Sequence, residues 1–314
     1  MAYRYLEIKT DHEPRLCERK LMNTKPGSQT EAGVANLGDN HVYFEKTGSG
    51  PTLLFVHGWP LNGQTWRNVT PHLDGFTRIV IDLPGNGSSA VTPQTDLSVR
   101  GHAAVVISFI EELGLTDVVL VGQDSGGMIC RFAAELRPDL IAGLSLCGTE
   151  IPGVHAPIVK MFKQLAFLPG AKAMFRLTMG NKFIARTPLV LGGTVFDTAF
   201  LDGEFRTNVL TPILADDDAM DNALEMIRHF SLDDIDALAA THANLEMPVL
   251  LVWGAQDPFF PVAKARQMIG QFGGVVDFET ISEAKLLVHE EHPQRFAELT
   301  RAFVERRCHF ATRD

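Results

Sequence analysis

Six short runs rich in Val, Ile and Leu, separated by stretches of helical periodicity, constrain this chain more than any other feature. They fall at 52–57, 77–82, 118–122, 142–147, 248–253 and 275–281. Runs apolar on both faces fit strands covered by helices on either side, the situation of a parallel sheet. Helical stretches at about 98–114, 126–137, 261–271 and 290–307 supply the crossovers, so the expected class is α/β. The 314 residues, 45% hydrophobic and 21% charged, are ample for one large or two modest domains.

Between 151 and 242 the rhythm changes to helix-like stretches at 157–168, 197–208, 217–229 and 233–240, with no comparable strand run. Met161, Phe162, Phe167, Met174, Phe175, Met179 and Phe183 crowd one part of it. This segment reads as a helical lid over the C-terminal edge of the sheet, with the core at 41–150 and 243–314. Residues 1–40 read as a leading arm with one strand near Tyr3–Ile8. The acidic run Asp216–Asp218 reads as a helix start, since Asp favours caps and first turns.

A net charge of −10 opposes phosphate backbones and anionic membrane surfaces. Neither nucleic acid nor a membrane is an expected partner. Cys17, Cys130, Cys147 and Cys308 are scattered without a CxxC pair, so no metal cluster or disulfide framework is expected. No secretory leader and no spanning run of about 18 apolar residues is legible. The chain reads as cytoplasmic, a monomer or homodimer, needing no cofactor.

The most specific motif is Gly122-Gln123-Asp124-Ser125-Gly126-Gly127, between an apolar strand and a helix. It has the small-x-nucleophile-x-small form of a nucleophile elbow, with aspartate in the slot usually given to serine. A phosphate loop would need GxGxxG or GK[ST], which is missing here. An ordinary Gly-rich turn is the plainer alternative. His57-Gly58-Trp59-Pro60 follows the strand at 52–57, where a loop N–H completes an oxyanion hole beside the N–H after the nucleophile. The donors expected are Trp59 and Ser125. Asp82-Leu83-Pro84-Gly85-Asn86-Gly87-Ser88-Ser89 follows the next strand and reads as a tight structural turn.

In these residues the sequence resembles the α/β-hydrolase fold, over about 40–314, and within it the Asp-nucleophile branch of soluble epoxide hydrolases and haloalkane dehalogenases. The resemblance implies a mostly parallel sheet flanked by helices, with a helical cap inserted after the sixth strand. His-Gly-Trp-Pro looks more like the epoxide hydrolases, Gln123-Asp124 more like some dehalogenases. Both groups usually carry Trp where this chain has Ser125.

The chemistry is consistent with that resemblance. A carboxylate near its reference pKa of about 4 is ionised at neutral pH and attacks without a base. Displacement at saturated carbon gives an alkyl ester that water then hydrolyses, so epoxides and alkyl halides are the natural substrates. The second step needs a base, ordinarily a histidine oriented by a carboxylate. Asp257, in Gly254-Ala255-Gln256-Asp257-Pro258, resembles the acid-bearing turn, with Glu150 as the alternative position and a structural Asx turn as the plain reading. The histidine is out of place: counting back from Pro293, the expected Gly-His falls on Lys285-Leu286. His289 serves as base if the loop is shifted by three residues. Otherwise His289 and His292 are first-turn residues and the base is lost, or Lys285 replaces it. No tyrosine lies in the cap to protonate a leaving oxygen, leaving His155 and His229 as candidates. His57, Glu150, Met161, Phe162 and Leu286 are expected to face an apolar small-molecule substrate. The expected activity is epoxide-hydrolase-like, with dehalogenation or non-hydrolytic binding as alternatives.

Overall fold

A computed structural model describes residues 30–310. The strands are β1 (Thr30–Leu37), β2 (Asn40–Thr47), β3 (Thr52–Val56), β4 (Thr77–Ile81), β5 (Ala90–Val91), β6 (Val118–Gln123), β7 (Ile141–Cys147), β8 (Val249–Gly254) and β9 (Val276–Ile281). They form one sheet in the order β1-β2-β4-β3-β6-β7-β8-β9, with β5 added to β2. From β4 through β9 the pairings are parallel, while β1 and β4 pair with β2 antiparallel. The α/β class is therefore as expected. Thr30–Leu37, read as part of the leading arm, is instead a full strand at the sheet edge. The strand expected near Tyr3–Ile8, like Cys17, lies outside the described residues.

The central strands are apolar on both faces because each face meets its own core. Leu54, Val56, Val118, Leu120, Val249 and Leu251 pack with α1 (Val99–Glu112) and α2 (Ser125–Leu136). Their neighbours Leu53, Phe55, Val119, Val121, Leu250 and Val252 pack with Trp66, Phe296 and Phe303 on the other side. Period-two alternation thus divides one run between two cores. The run at 275–281 departs from the pattern: β9 is the terminal strand and Glu279 and Thr280 are exposed.

Between β7 and β8 the described chain forms helices and turns alone: α3 (Pro157–Ala166), α4 (Ala171–Gly180), α5 (Lys182–Ala185), α6 (Thr211–Ala215), α7 (Asp217–His229) and α8 (Leu232–Asn244). The Met/Phe-rich stretch supplies α4, which periodicity did not mark. Asp216 caps α7 by accepting the N–H groups of Asp218 and Ala219. After β8 come α9 (Val262–Ala265), α10 (Val288–Glu291) and α11 (Pro293–Arg307). The parallel strands β3, β6, β7 and β8 carry the site at their C-terminal ends, where loops of an open α/β sheet converge.

Candidate active site

Asp124 sits at the N-terminus of α2 with φ 52° and ψ −134°, a left-handed conformation costly for any residue but glycine. Backbone bonds hold it there: its N–H donates to Gly148 O at 3.0 Å and its carbonyl accepts Gly127 N–H at 2.8 Å. The neighbours must be small. A Cβ on Gly122 would lie 2.8 Å from Cys130 Sγ and Gly126 O, and one on Gly58 would lie 2.7 Å from Asp124 Cβ.

The bend turns the Asp124 carboxyl toward the backbone N–H groups of Ser125 and Trp59, which favour its charged form. Burial outweighs them and the nearby Glu150 adds to it, so the carboxyl is pushed well above the usual range rather than standing near pKa 4. The Trp59 N–H also donates to Ser125 Oγ at 2.9 Å, so the serine hydroxyl engages one donor of the expected oxyanion hole.

Asp124 opens on a cavity of about 870 Å³, mouth included. Trp59, Ser125, Glu150 and Leu286 line it from the sheet side, and Val159, Phe162, Met179, Phe205 and Phe230 from the helical segment. Trp59 anchors the apolar wall. Its indole N–H donates to Ala223 O at 2.8 Å, and its ring meets Phe162 and Phe175 at 5.9 and 6.2 Å.

Four expected site residues do not reach this wall. His57 is wholly buried behind it, its Nε2 accepting Leu83 N–H and its Nδ1 donating to Gly58 O, both at 3.0 Å. It fixes the loop rather than a substrate. Met161 is half-buried on α3 but not among the lining residues. Asp257 is buried, and its Oδ1 accepts Phe259 and Phe260 N–H at 2.8 and 3.0 Å. Its Oδ2 has no hydrogen-bond partner among the described residues, and burial pushes the carboxyl up to about 7. The turn is formed, but among the described residues no histidine is paired with Asp257.

His289 is the largest departure. It lies at the start of α10 on the opposite face of the sheet, its ring 4.5 Å from that of Trp66 and its Nε2 2.8 Å from Thr65 Oγ1. A three-residue shift of the loop does not occur, because α10 begins before this position and turns the side chain into that core. Lys285 does not replace it, since its Nζ reaches Gly192 O at 3.4 Å and it does not line the cavity. His155 pairs with Asp236 at 3.0 Å and His229 lies 3.0 Å from Glu225 O, both away from the wall.

Thr149 and Arg131 were not singled out from sequence. Arg131, fully buried on α2, donates to Gly127 O (3.1 Å), Glu150 O (2.9 Å), His242 Nε2 (3.1 Å) and Thr149 Oγ1 (2.7 Å). A guanidinium within the apolar run Met128–Ala134 was the available signal, because a buried charge must be partnered. Burial lowers Arg131 to about 10, and burial raises the Glu150 carboxyl while the Arg131 charge opposes the rise. Among the described residues no group of three or more His, Cys, Asp or Glu is arranged to hold a metal, and no helix is long and apolar enough to cross a membrane.

Comparison with known proteins agrees with this architecture. The pattern of the alpha/beta hydrolase fold family matches residues 51–293, and the chain belongs to that family. A haloalkane dehalogenase of Mesorhizobium japonicum is 38% identical over 104 residues, 33% of each chain. A soluble epoxide hydrolase of a Corynebacterium species is 33% identical over 146 residues, 43% of this chain and 50% of that one. These matches span half or less of either relative. The structure of the epoxide hydrolase CorEH without ligand aligns with a TM-score of 0.75 at 21% identity, covering 88% of this chain and 99% of that one. The family and these relatives make the chain an enzyme of the hydrolase type.

Proposed function

We propose that this protein opens an epoxide on an apolar small molecule, with Asp124 attacking carbon to form an alkyl ester. The observation that carries the reading is Asp124 itself. Its carboxyl stands at a strained elbow, faces a cavity walled by aromatic and aliphatic side chains, and has the backbone N–H groups of Ser125 and Trp59 beside it. Those N–H groups would stabilise the oxyanion formed when water attacks the ester.

The halide alternative has less support. A departing halide needs free N–H donors, yet the Trp59 indole is committed to Ala223 O and position 125 is serine. An epoxide instead carries its leaving oxygen on the same molecule and needs a proton.

Incubation with styrene oxide in H₂¹⁸O, followed by intact mass and diol analysis, tests the reading. A first turnover should place unlabelled oxygen from Asp124 in the diol, and Asp124→Asn should abolish both adduct and diol. Labelled diol in the first turnover, or reaction undiminished in Asp124→Asn, would remove Asp124 from the nucleophile role. Binding of the epoxide with neither adduct nor diol would assign the cavity to a non-hydrolytic role.

A further inference from the structure

Glu150 is the second carboxyl of the cavity. Among the described residues on its wall, Asp124 and Glu150 are the titratable side chains; the rest are apolar or carry hydroxyl, amide or indole groups. Among the described residues of the wall, this pair supplies the side chains able to exchange a proton with a substrate. Thr149 joins them: its Oγ1 lies 2.8 Å from Asp124 O and 2.9 Å from Glu150 Oε2, while Arg131 donates to it at 2.7 Å.

Hydrogen counting at that hydroxyl gives Glu150 two resting states. Arg131 can only donate, so the Thr149 oxygen accepts there and has one hydrogen to give. Pointed at Glu150 Oε2, that hydrogen serves a carboxylate. Pointed at Asp124 O, it leaves Glu150 Oε2 to donate its own hydrogen to Thr149. The carboxyl can change protonation with no movement beyond rotation of one O–H bond.

We propose that Glu150 is the acid and then the base of this site, filling the roles for which the described residues of the wall offer neither tyrosine nor histidine. This role rests on Asp124 being the nucleophile. In the first step an Asp124 oxygen bonds to an epoxide carbon, the C–O bond of the ring breaks, and the released oxygen takes the proton of Glu150. A hydroxyalkyl ester and a Glu150 carboxylate result. In the second, water attacks the ester carbonyl, Glu150 accepts the water proton, and the tetrahedral oxyanion lies at the Ser125 and Trp59 N–H groups. Collapse breaks the bond between acyl carbon and alcohol oxygen, which takes the proton from Glu150 and leaves Asp124 as the carboxylic acid, whose proton then passes to Glu150. The sum is epoxide plus water to diol, and the reactive state is the one in which the proton of this coupled pair sits on Glu150, against the burial and the neighbouring carboxyl that raise Asp124. The charged and titratable groups around Glu150 are Asp124 at the elbow, Arg131 on α2, and His242 on α8 behind Arg131, with Asp257 acting on Asp124.

The test compares alkylation of Asp124 by styrene oxide, whose leaving oxygen needs a proton, with alkylation by 1-bromobutane, whose bromide does not. In Glu150→Gln the ratio of the first rate to the second should fall at least about 100-fold, the usual size of general-acid assistance, and diol formation should cease. Glu150→Asp, which keeps a carboxyl, should retain the ratio within about tenfold and serves if the Gln variant does not fold. In the wild type, alkylation by the epoxide should fall as pH rises past the ionisation of the carboxyl pair, while that by the bromide should not. An unchanged ratio in a folded Glu150→Gln protein, or continued diol formation, overturns the role of Glu150 and leaves Asp124 standing. No alkylation of the folded wild type by either reagent overturns both.

Discussion

Thr65 Oγ1 gives its hydrogen to Glu290 Oε1 at 2.9 Å and so receives one from His289 Nε2 at 2.8 Å. That pairing makes His289 a neutral core residue. Burial, with the Arg67 charge second, lowers its pKa to about 3. The folded value is below the unfolded one near 6.5, so its contribution is intact above about pH 6.5 and declines as pH falls toward 3. His289→Gln should cost about 1–3 kcal/mol at pH 7 by unpairing Thr65 and loosening the Trp66 contact. Its urea midpoint should then fall less between pH 7 and pH 5 than that of the wild type, and alkylation of Asp124 should stay within about twofold. Equal acid sensitivity, or loss of alkylation, would contradict this placement.

Asp257 titrates in the opposite sense. Its folded pKa, about 7, lies above an unfolded value near 3.9, so its stabilising share is complete below about pH 4 and is lost as pH rises through 7. Asp257→Asn removes that loss. Relative to the wild type the variant should gain stability from pH 4 to pH 8, by at most about 4 kcal/mol at about 1.4 kcal/mol per pH unit. Parallel stability curves for the two proteins would count against an uncompensated buried carboxyl.

Leu286 lines the cavity with Asp124, and the Asp257 turn stands formed without a histidine partner among the described residues. The double change Lys285→Gly and Leu286→His should therefore raise diol formation at least about tenfold, within the range of general-base catalysis. Adding Asp257→Asn should cancel most of the gain by leaving the new imidazole unoriented. A folded double variant no faster than the wild type, by stopped-time diol assay, would reject the vacant-slot account.

The elbow strain has a thermal signature. Asp124→Gly removes both a left-handed non-glycine residue and a buried carboxyl, and should stabilise the fold by about 1–3 kcal/mol while abolishing the adduct. Gly122→Ala should do the reverse, losing at least about 2 kcal/mol as its methyl meets Cys130 and Gly126. Thermal melts of the two variants check both signs.

Ser125→Ala leaves the Trp59 N–H without its serine acceptor and returns that donor to the cavity. Breakdown of a preformed Asp124 ester should quicken about three- to tenfold, a fraction of the effect of a whole oxyanion donor. Single-turnover decay of the alkylated protein measures it, and slower decay would show that the hydroxyl assists the reaction.

Much of this was legible along the chain. The runs around Leu54, Leu120 and Leu250 announce buried parallel strands because length and period are local properties. Gly122-Gln123-Asp124-Ser125-Gly126 announces the bend because only small residues fit beside it. That Trp59, Ser125, Glu150 and Leu286 share a wall with Asp124 follows from parallel strands ending on one side. The protonation of Asp124, the isolation of Asp257, the inward turn of His289 and the Arg131–Thr149–Glu150 network were not legible. Each is set by desolvation and by partners far away in sequence, and those are assigned only when distant strands and helices pack against one another.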